Sequence, residues 1–120
     1  METLAVNGIG RIGKLVVKLL VQNQYNLTHL NEKNGNTDSL IHSIEFDSIH
    51  GKWQANIEES KDEIKIDGKS IKATFIENIN DLSLDDVDIM IDCTGVHKSS
   101  SKLQKYFDKG VKKVIVSAPI

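Results

Sequence analysis

Thr3-Leu-Ala-Val-Asn-Gly-Ile-Gly-Arg-Ile-Gly13, continuing into Lys14-Leu-Val-Val-Lys-Leu-Leu20, decides the fold. A short apolar run gives way to glycines at positions 8, 10 and 13, and a helical pattern follows without a break. The spacing predicts a strand over 3–7, a tight turn, and a helix from about Arg11 to Gln22. Gly8 suits a turn where a Cβ would clash, Gly10 lets the backbone approach a ligand, and Gly13 lets the helix pack against the strand. The first helical N–H groups and the helix dipole then favour negative charge at that end.

Glycines at this spacing also occur by chance, so context decides. The motif follows a strand pattern and opens a helix. A second apolar run, Leu27-Thr-His-Leu30, leads to Glu32, nineteen residues after Gly13. An acid there meets the adenosine ribose of a dinucleotide whose pyrophosphate rests on the helix. A 2′-phosphate would face a like charge, and at 4 Å the repulsion is at most about 4 kcal/mol. That is roughly a thousandfold preference for NAD over NADP.

Working outward along the helix, Ile12, Leu15, Val16, Leu19 and Leu20 share a face at spacings of three and four, with Lys14 and Lys18 opposite. They predict a core face. Asn23 to Asn26 break the pattern, and strand–helix–strand is complete by Glu32. Thr37 is a candidate N-cap for a helix carrying Leu40, Ile41, Ile44 and Phe46, ending near Gly51. From Trp53 the period changes to two: Trp53, Ala55 and Ile57, then Ile64 and Ile66, then Ile71, Ala73 and Phe75. Glu58 to Glu63 read as a charged turn and Asp67-Gly68 as a short hairpin. Trp53 and Phe75 are read as core.

Residues 80–86 form a polar connection with room for a helical turn. Val87 to Cys93 are another buried strand, and Ser99 to Ser101 cap a helix carrying Leu103, Tyr106 and Phe107 that stops at Gly110. Lys112 to Ser117 are the last strand. The expected fold is α/β: a Rossmann-type, doubly wound, mostly parallel sheet with an inserted antiparallel meander. In such sheets ligands bind beyond the carboxyl ends of the strands. Four of those ends carry suitable residues: Asn7-Gly8, Asn31-Glu32, Cys93-Thr-Gly95 and Ser117-Ala118.

The 120 residues are one domain's worth of chain, with 39% hydrophobic and 27% charged residues, as in a globular protein. A net charge of −2 argues against nucleic acid or an anionic membrane as partner. No apolar run is long enough to span a bilayer, and Met1-Glu2 leads directly into a strand, so a cytoplasmic protein without a signal peptide is expected. Cys93 is the single cysteine, so no internal disulfide forms. It closes an apolar strand beside Asp92, which predicts a buried, inert thiol rather than a nucleophile. The four histidines have no metal-ligand spacing, and no metal is expected.

Asn7-Gly-Ile-Gly-Arg-Ile-Gly13, Phe46-Asp-Ser-Ile-His-Gly-Lys52, Asp92-Cys-Thr-Gly-Val96 and Val116-Ser-Ala-Pro119 occur in order. Together they resemble the N-terminal signatures of phosphorylating glyceraldehyde-3-phosphate dehydrogenase, over essentially the whole chain. The resemblance implies NAD as cofactor, with Arg11 and Ile12 meeting the pyrophosphate through their backbone and Glu32 holding the adenosine ribose. It implies that Thr94 and Gly95 flank the cofactor and that Ser117 approaches the nicotinamide side. The cofactor-binding set is therefore Gly8, Gly10, Arg11, Ile12, Gly13, Glu32, Thr94, Gly95 and Ser117.

The chain also departs from the family pattern. Glu32 stands where the family commonly has Asp, His97 replaces a Phe, and the arginine often found beside the adenine is replaced near Asn78-Ile79. Asn31-Glu32 and the Phe46 to Trp53 segment are similar to a bacterial branch linked to arsenate resistance. Glu32 is also similar to erythrose-4-phosphate dehydrogenase. The family's nucleophilic cysteine lies in a Ser-Cys-Thr-Thr-Asn segment that these 120 residues do not contain, and Cys93 does not match it. The chain is expected to be the cofactor domain alone, inactive by itself. A sugar-phosphate aldehyde would be the substrate only in a full-length enzyme. A non-catalytic NAD-binding module or decayed gene product, prone to self-association, is the alternative.

Overall fold

The structure, a computed structural model, describes residues 2–33, 57–60, 63–66, 68–84, 86–94 and 100–116. The helix expected from Thr37, the strand residues Trp53 and Ala55, and the sites at Gly95 and Ser117 lie outside the described residues.

The chain opens with β1 (Thr3–Asn7), α1 (Arg11–Gln22) and β2 (Asn26–Asn31). Next come β3 (Ile57–Ser60), β4 (Glu63–Ile66) and β5 (Lys69–Thr74). A 3-10 turn at Ile79–Asp81 precedes β6 (Ile89–Asp92), α2 (Ser100–Asp108) and β7 (Lys113–Val116). The seven strands form one sheet in the order β3-β4-β5-β2-β1-β6-β7. The pairs β5·β2, β2·β1, β1·β6 and β6·β7 are parallel, and β3·β4 and β4·β5 are antiparallel. The expected mostly parallel sheet with an antiparallel meander is therefore present, and β5 joins the meander to the main sheet. Strand order reverses beside β1: the chain first builds outward through β2 and later returns to pair β6 on the other flank.

Alternation along β1 divides the core. Leu4 and Val6 join Val17, Leu20, Leu27, Leu30 and Ile91 beneath α1. Ala5 joins Met90, Val87, Leu82 and Tyr106 on the opposite face. Both faces of the central strand are buried, as a parallel sheet requires.

Three expectations are corrected. First, Ile12, Leu15 and Leu19 do not face the core; they are 40, 50 and 48% exposed. The buried stripe of α1 is Gly13, Val17 and Leu20. Helix rotation is set by the approach of Gly13 to the turn below, and a glycine contributes nothing to a hydrophobic count. Second, Glu58 to Ser60 are not a turn. They belong to β3, where Glu58 lies opposite Lys65 and Ser60 opposite Glu63. Third, the connection before β6 is not polar throughout, because Ile79, Leu82 and Leu84 are buried in the second core.

Candidate functional site

The carboxyl ends of β2, β1 and β6 lie side by side, with Asn7 in register with both Asn31 and Asp92. Immediately beyond Asn7 the chain turns at Gly8, whose φ of +94° is a conformation that side-chain-bearing residues rarely adopt. The Gly8 N–H donates to the Asn31 carbonyl at 2.8 Å, and the Cys93 N–H donates to the Asn7 carbonyl at 2.7 Å. The turn is thus tied to both neighbouring strands. A Cβ on Gly8 would come within 2.7 Å of the Thr94 nitrogen, so only glycine fits against the β6 exit.

Gly13 has a different constraint. A Cβ there would press into the Gly8 carbonyl, 3.0 Å from its carbon, and would meet the Cys93 Cβ at 3.6 Å. Gly10 faces no such barrier, since nothing among the described residues lies within 4 Å of a Cβ built on it. Between them, α1 begins at Arg11, and its first ladder bond runs from the Lys14 N–H to the Gly10 carbonyl at 2.9 Å. The N–H groups of Arg11, Ile12 and Gly13 therefore precede the helical ladder. Among the described residues no side chain caps this end by a hydrogen bond, and no acidic residue sits in the first turn. The positive end of the helix is not neutralised by the helix's own residues.

Glu32 completes this corner. Its N–H donates to the Thr74 carbonyl at 3.0 Å, fixing the end of β2 against β5. Its Oε1 accepts from the Ile9 N–H at 2.9 Å, so the carboxylate leans onto the glycine-rich turn. A carboxylate has about four acceptor positions, the chemistry that takes hydroxyl donors.

On the other flank, Asp92 is fully buried. Its Oδ1 accepts from the Thr94 N–H at 2.9 Å and from the Thr94 hydroxyl at 2.7 Å. Its Oδ2 accepts from the Tyr106 hydroxyl at 2.6 Å. Cys93 is half-buried, and its thiol is pushed up to about 11 by burial and by the neighbouring Asp92 charge. It is a protonated, unreactive thiol at neutral pH. No group of three or more metal-ligating side chains occurs among the described residues, and no described helix is long and apolar enough to cross a membrane.

The structure thus brings together Gly8, Gly10, Gly13, Glu32 and Thr94, with Arg11 and Ile12 opening the helix above them. Gly95 and Ser117 lie outside the described residues. The sequence reading put Asn7 and Asn31 at strand ends suited to a ligand but missed that they join Asp92 and Tyr106 in one polar set beneath the turn. A signal was present, since three of these four end apolar strands.

A family model described as "Glyceraldehyde 3-phosphate dehydrogenase, NAD binding domain" matches residues 2–100. The chain belongs to the glyceraldehyde-3-phosphate dehydrogenase family. Its matched part is that family's NAD-binding domain, so NAD is the cofactor. The cradle fits such a group: glycine backbone at the turn, an uncapped helix end, and an acid at the tip of the next strand. Glyceraldehyde-3-phosphate dehydrogenase 3 of Nostoc sp. is 32% identical over 120 residues, covering 98% of this chain and 36% of the relative. Glyceraldehyde-3-phosphate dehydrogenase 2 of Saccharomyces cerevisiae is 37% identical over 124 residues, covering 99% of this chain and 37% of the relative. The Thermotoga maritima relative is 33% identical over 123 residues, with 99 and 37% covered. The chain spans about a third of the length of the curated relatives it matches.

Proposed function

We propose that this chain orients NAD for an enzyme that oxidises the aldehyde of a sugar phosphate. The backbone of Gly8 to Gly13 and the first turn of α1 receive the pyrophosphate. Glu32 receives the adenosine ribose hydroxyls, Thr94 and Gly95 flank the cofactor, and Ser117 stands on the nicotinamide side. When bound, NAD accepts a hydride from the substrate; the chain supplies binding and orientation.

The observation that carries this reading is the Glu32 bond to the Ile9 N–H at 2.9 Å. It sets the acid against the glycine-rich turn that leads into α1. A carboxylate taking two hydroxyls gains charge-assisted hydrogen bonds, each worth about 1.5–3 kcal/mol. In these 120 residues alone, binding without turnover is the expected behaviour, because none of them matches the family's cysteine segment. Glyceraldehyde 3-phosphate and erythrose 4-phosphate are the two aldehydes to compare in any longer form, since Glu32 resembles both the arsenate-linked branch and erythrose-4-phosphate dehydrogenase.

Calorimetry with NAD tests the reading. The chain should bind, and Glu32→Ala should weaken binding at least tenfold. Unchanged affinity in that variant removes the ribose role. NADH formation from glyceraldehyde 3-phosphate by the 120 residues would overturn the division of labour.

A further inference from the structure

Beneath the glycine-rich turn a row of polar residues runs straight across the sheet. Thr74, Asn31, Asn7 and Asp92 are successive register partners on β5, β2, β1 and β6. Asn7, Asn31 and Asp92 are the buried polar residues among those described. Their side chains are joined end to end. The Thr74 hydroxyl donates to Asn31 Oδ1 at 2.6 Å, and Asn31 Nδ2 donates to Asn7 Oδ1 at 2.8 Å. Asn7 Nδ2 donates to the Tyr106 hydroxyl at 2.8 Å, and that hydroxyl donates to Asp92 Oδ2 at 2.6 Å. Asn31 also holds both polar groups of Ile76: its Nδ2 donates to the carbonyl at 2.8 Å and its Oδ1 accepts from the N–H at 3.1 Å. No buried side-chain nitrogen or oxygen among the described residues lacks a partner.

Two features go beyond packing. Tyr106, which is wholly buried, comes from α2, on the sheet face opposite α1. Its hydroxyl lies between the residue that launches the Gly8 turn and the residue that holds Thr94. Those two loops also touch: the space a Gly8 Cβ would need is filled by Cys93 and Thr94 backbone. Burial and the Asp92 charge hold the phenol well above its usual range, so it remains a donor at every working pH.

We propose that Tyr106 is a positioning residue for the pyrophosphate cradle, fixing the Gly8 turn and the Thr94 turn relative to each other through Asn7 and Asp92. This rests on the NAD reading above. It also divides the site. The ribose grip of Glu32 lies further from the phenol: it is held by Ile9 and the Thr74 carbonyl, which reach Tyr106 only by way of the Gly8 turn, Asn31 and Asn7. Loss of the Tyr106 hydroxyl should therefore weaken phosphate binding more than nucleoside binding. Satisfied buried networks hold their members in one arrangement, and removing a member releases the rest.

The test titrates the chain and its Tyr106→Phe variant with NAD, ADP and adenosine, by calorimetry for the first two and NMR shifts for adenosine. The temperature is one at which circular dichroism shows both folded. The variant should bind NAD and ADP about five- to twentyfold more weakly, with adenosine within twofold of the parent. Lower thermal stability with an unchanged ratio of ADP to adenosine affinity would show a purely structural role and overturn the proposal. Asp92→Asn, which keeps the shape of the side chain, should shift the ratio in the same direction, and is read alone if Tyr106→Phe does not fold. If the unaltered chain binds none of the three, the NAD reading itself has failed. Parent binding with an unshifted ratio defeats only the role of Tyr106.

Discussion

Gly13→Ala isolates the contact on which α1 rests. Intrinsic propensity alone makes Ala better than Gly inside a helix by about 1 kcal/mol. Here the new methyl group would press into the Gly8 carbonyl, 3.0 Å from its carbon, and backbone on both sides leaves no flexible chain end to yield. The helix must move away, on the order of 0.5–1 Å, which forfeits about a quarter to a half of the dispersion along its contact face. That face includes Val17 and Leu20, 0 and 9% exposed. Taking about 1.5–2 kcal/mol lost at each and subtracting the propensity gain leaves a net destabilisation of about 2–3 kcal/mol. In a domain of this size the melting temperature should fall by roughly 6–15 °C. Gly10→Ala is the control. It meets nothing among the described residues within 4 Å, so it should cost no more than about 0.5 kcal/mol, from the poorer helix cap. Urea unfolding of the three proteins gives both differences. A Gly13→Ala variant as stable as Gly10→Ala would refute the account of what sets the rotation of α1.

Two further predictions concern titration. With its thiol at about 11, Cys93 should react with iodoacetamide at pH 8 roughly a hundredfold more slowly than an ordinary cysteine, and the rate should keep climbing past pH 10; a labelling curve that levels off near pH 9 contradicts the burial. His29 is held below the ordinary histidine value of 6.5, first by burial, then by Lys72, with Asp86 opposing. Its ring faces a small cleft with Leu82, Leu84 and Met90, and its Nδ1 lies 2.8 Å from the Thr28 hydroxyl. The unfolded chain binds that proton more readily. Its contribution is therefore complete above pH 6.5 and is lost as pH falls through the lowered folded value. His29→Gln should flatten this part of the stability profile, measured by urea unfolding between pH 7 and 5, and an NMR titration of His29 at or above 6.5 would contradict the sign.

Much of this was legible in the residues. β1 runs over Thr3–Asn7 because burial on both faces leaves an apolar run, and α1 runs over Arg11–Gln22 although Ile12, Leu15 and Leu19, which marked it as helical, are not its buried stripe. Gly68, half of the hairpin signal, lies between β4 and β5 at a φ of +86°. The glycine spacing and Glu32 placed one corner of the candidate site. The rest depends on contacts that have no one-dimensional signature. Gly13 determines which way α1 faces through a backbone approach. Glu58 is charged yet sits in a strand because ladder pairing, with Lys65 opposite, does not need an apolar residue. Tyr106 reads as one more apolar residue on a helix until the partners of its hydroxyl are seen, one of them ninety-nine residues away.

The central place of β1 also bears on how the chain is made. β1 leaves the ribosome before its two neighbours, and one of its flanks is reserved for a segment so distant that the Thr3 N–H bonds to a carboxylate 85 residues further on. A nascent chain can dock β2 early, yet it must keep the other flank of β1 unpaired until β6 has emerged. Closing so wide a loop is slow, and an open strand edge invites mispairing meanwhile. Translation that pauses before Ile89 should leave this chain dependent on chaperones, and native hydrogen-exchange protection of β1 should appear only together with that of β6.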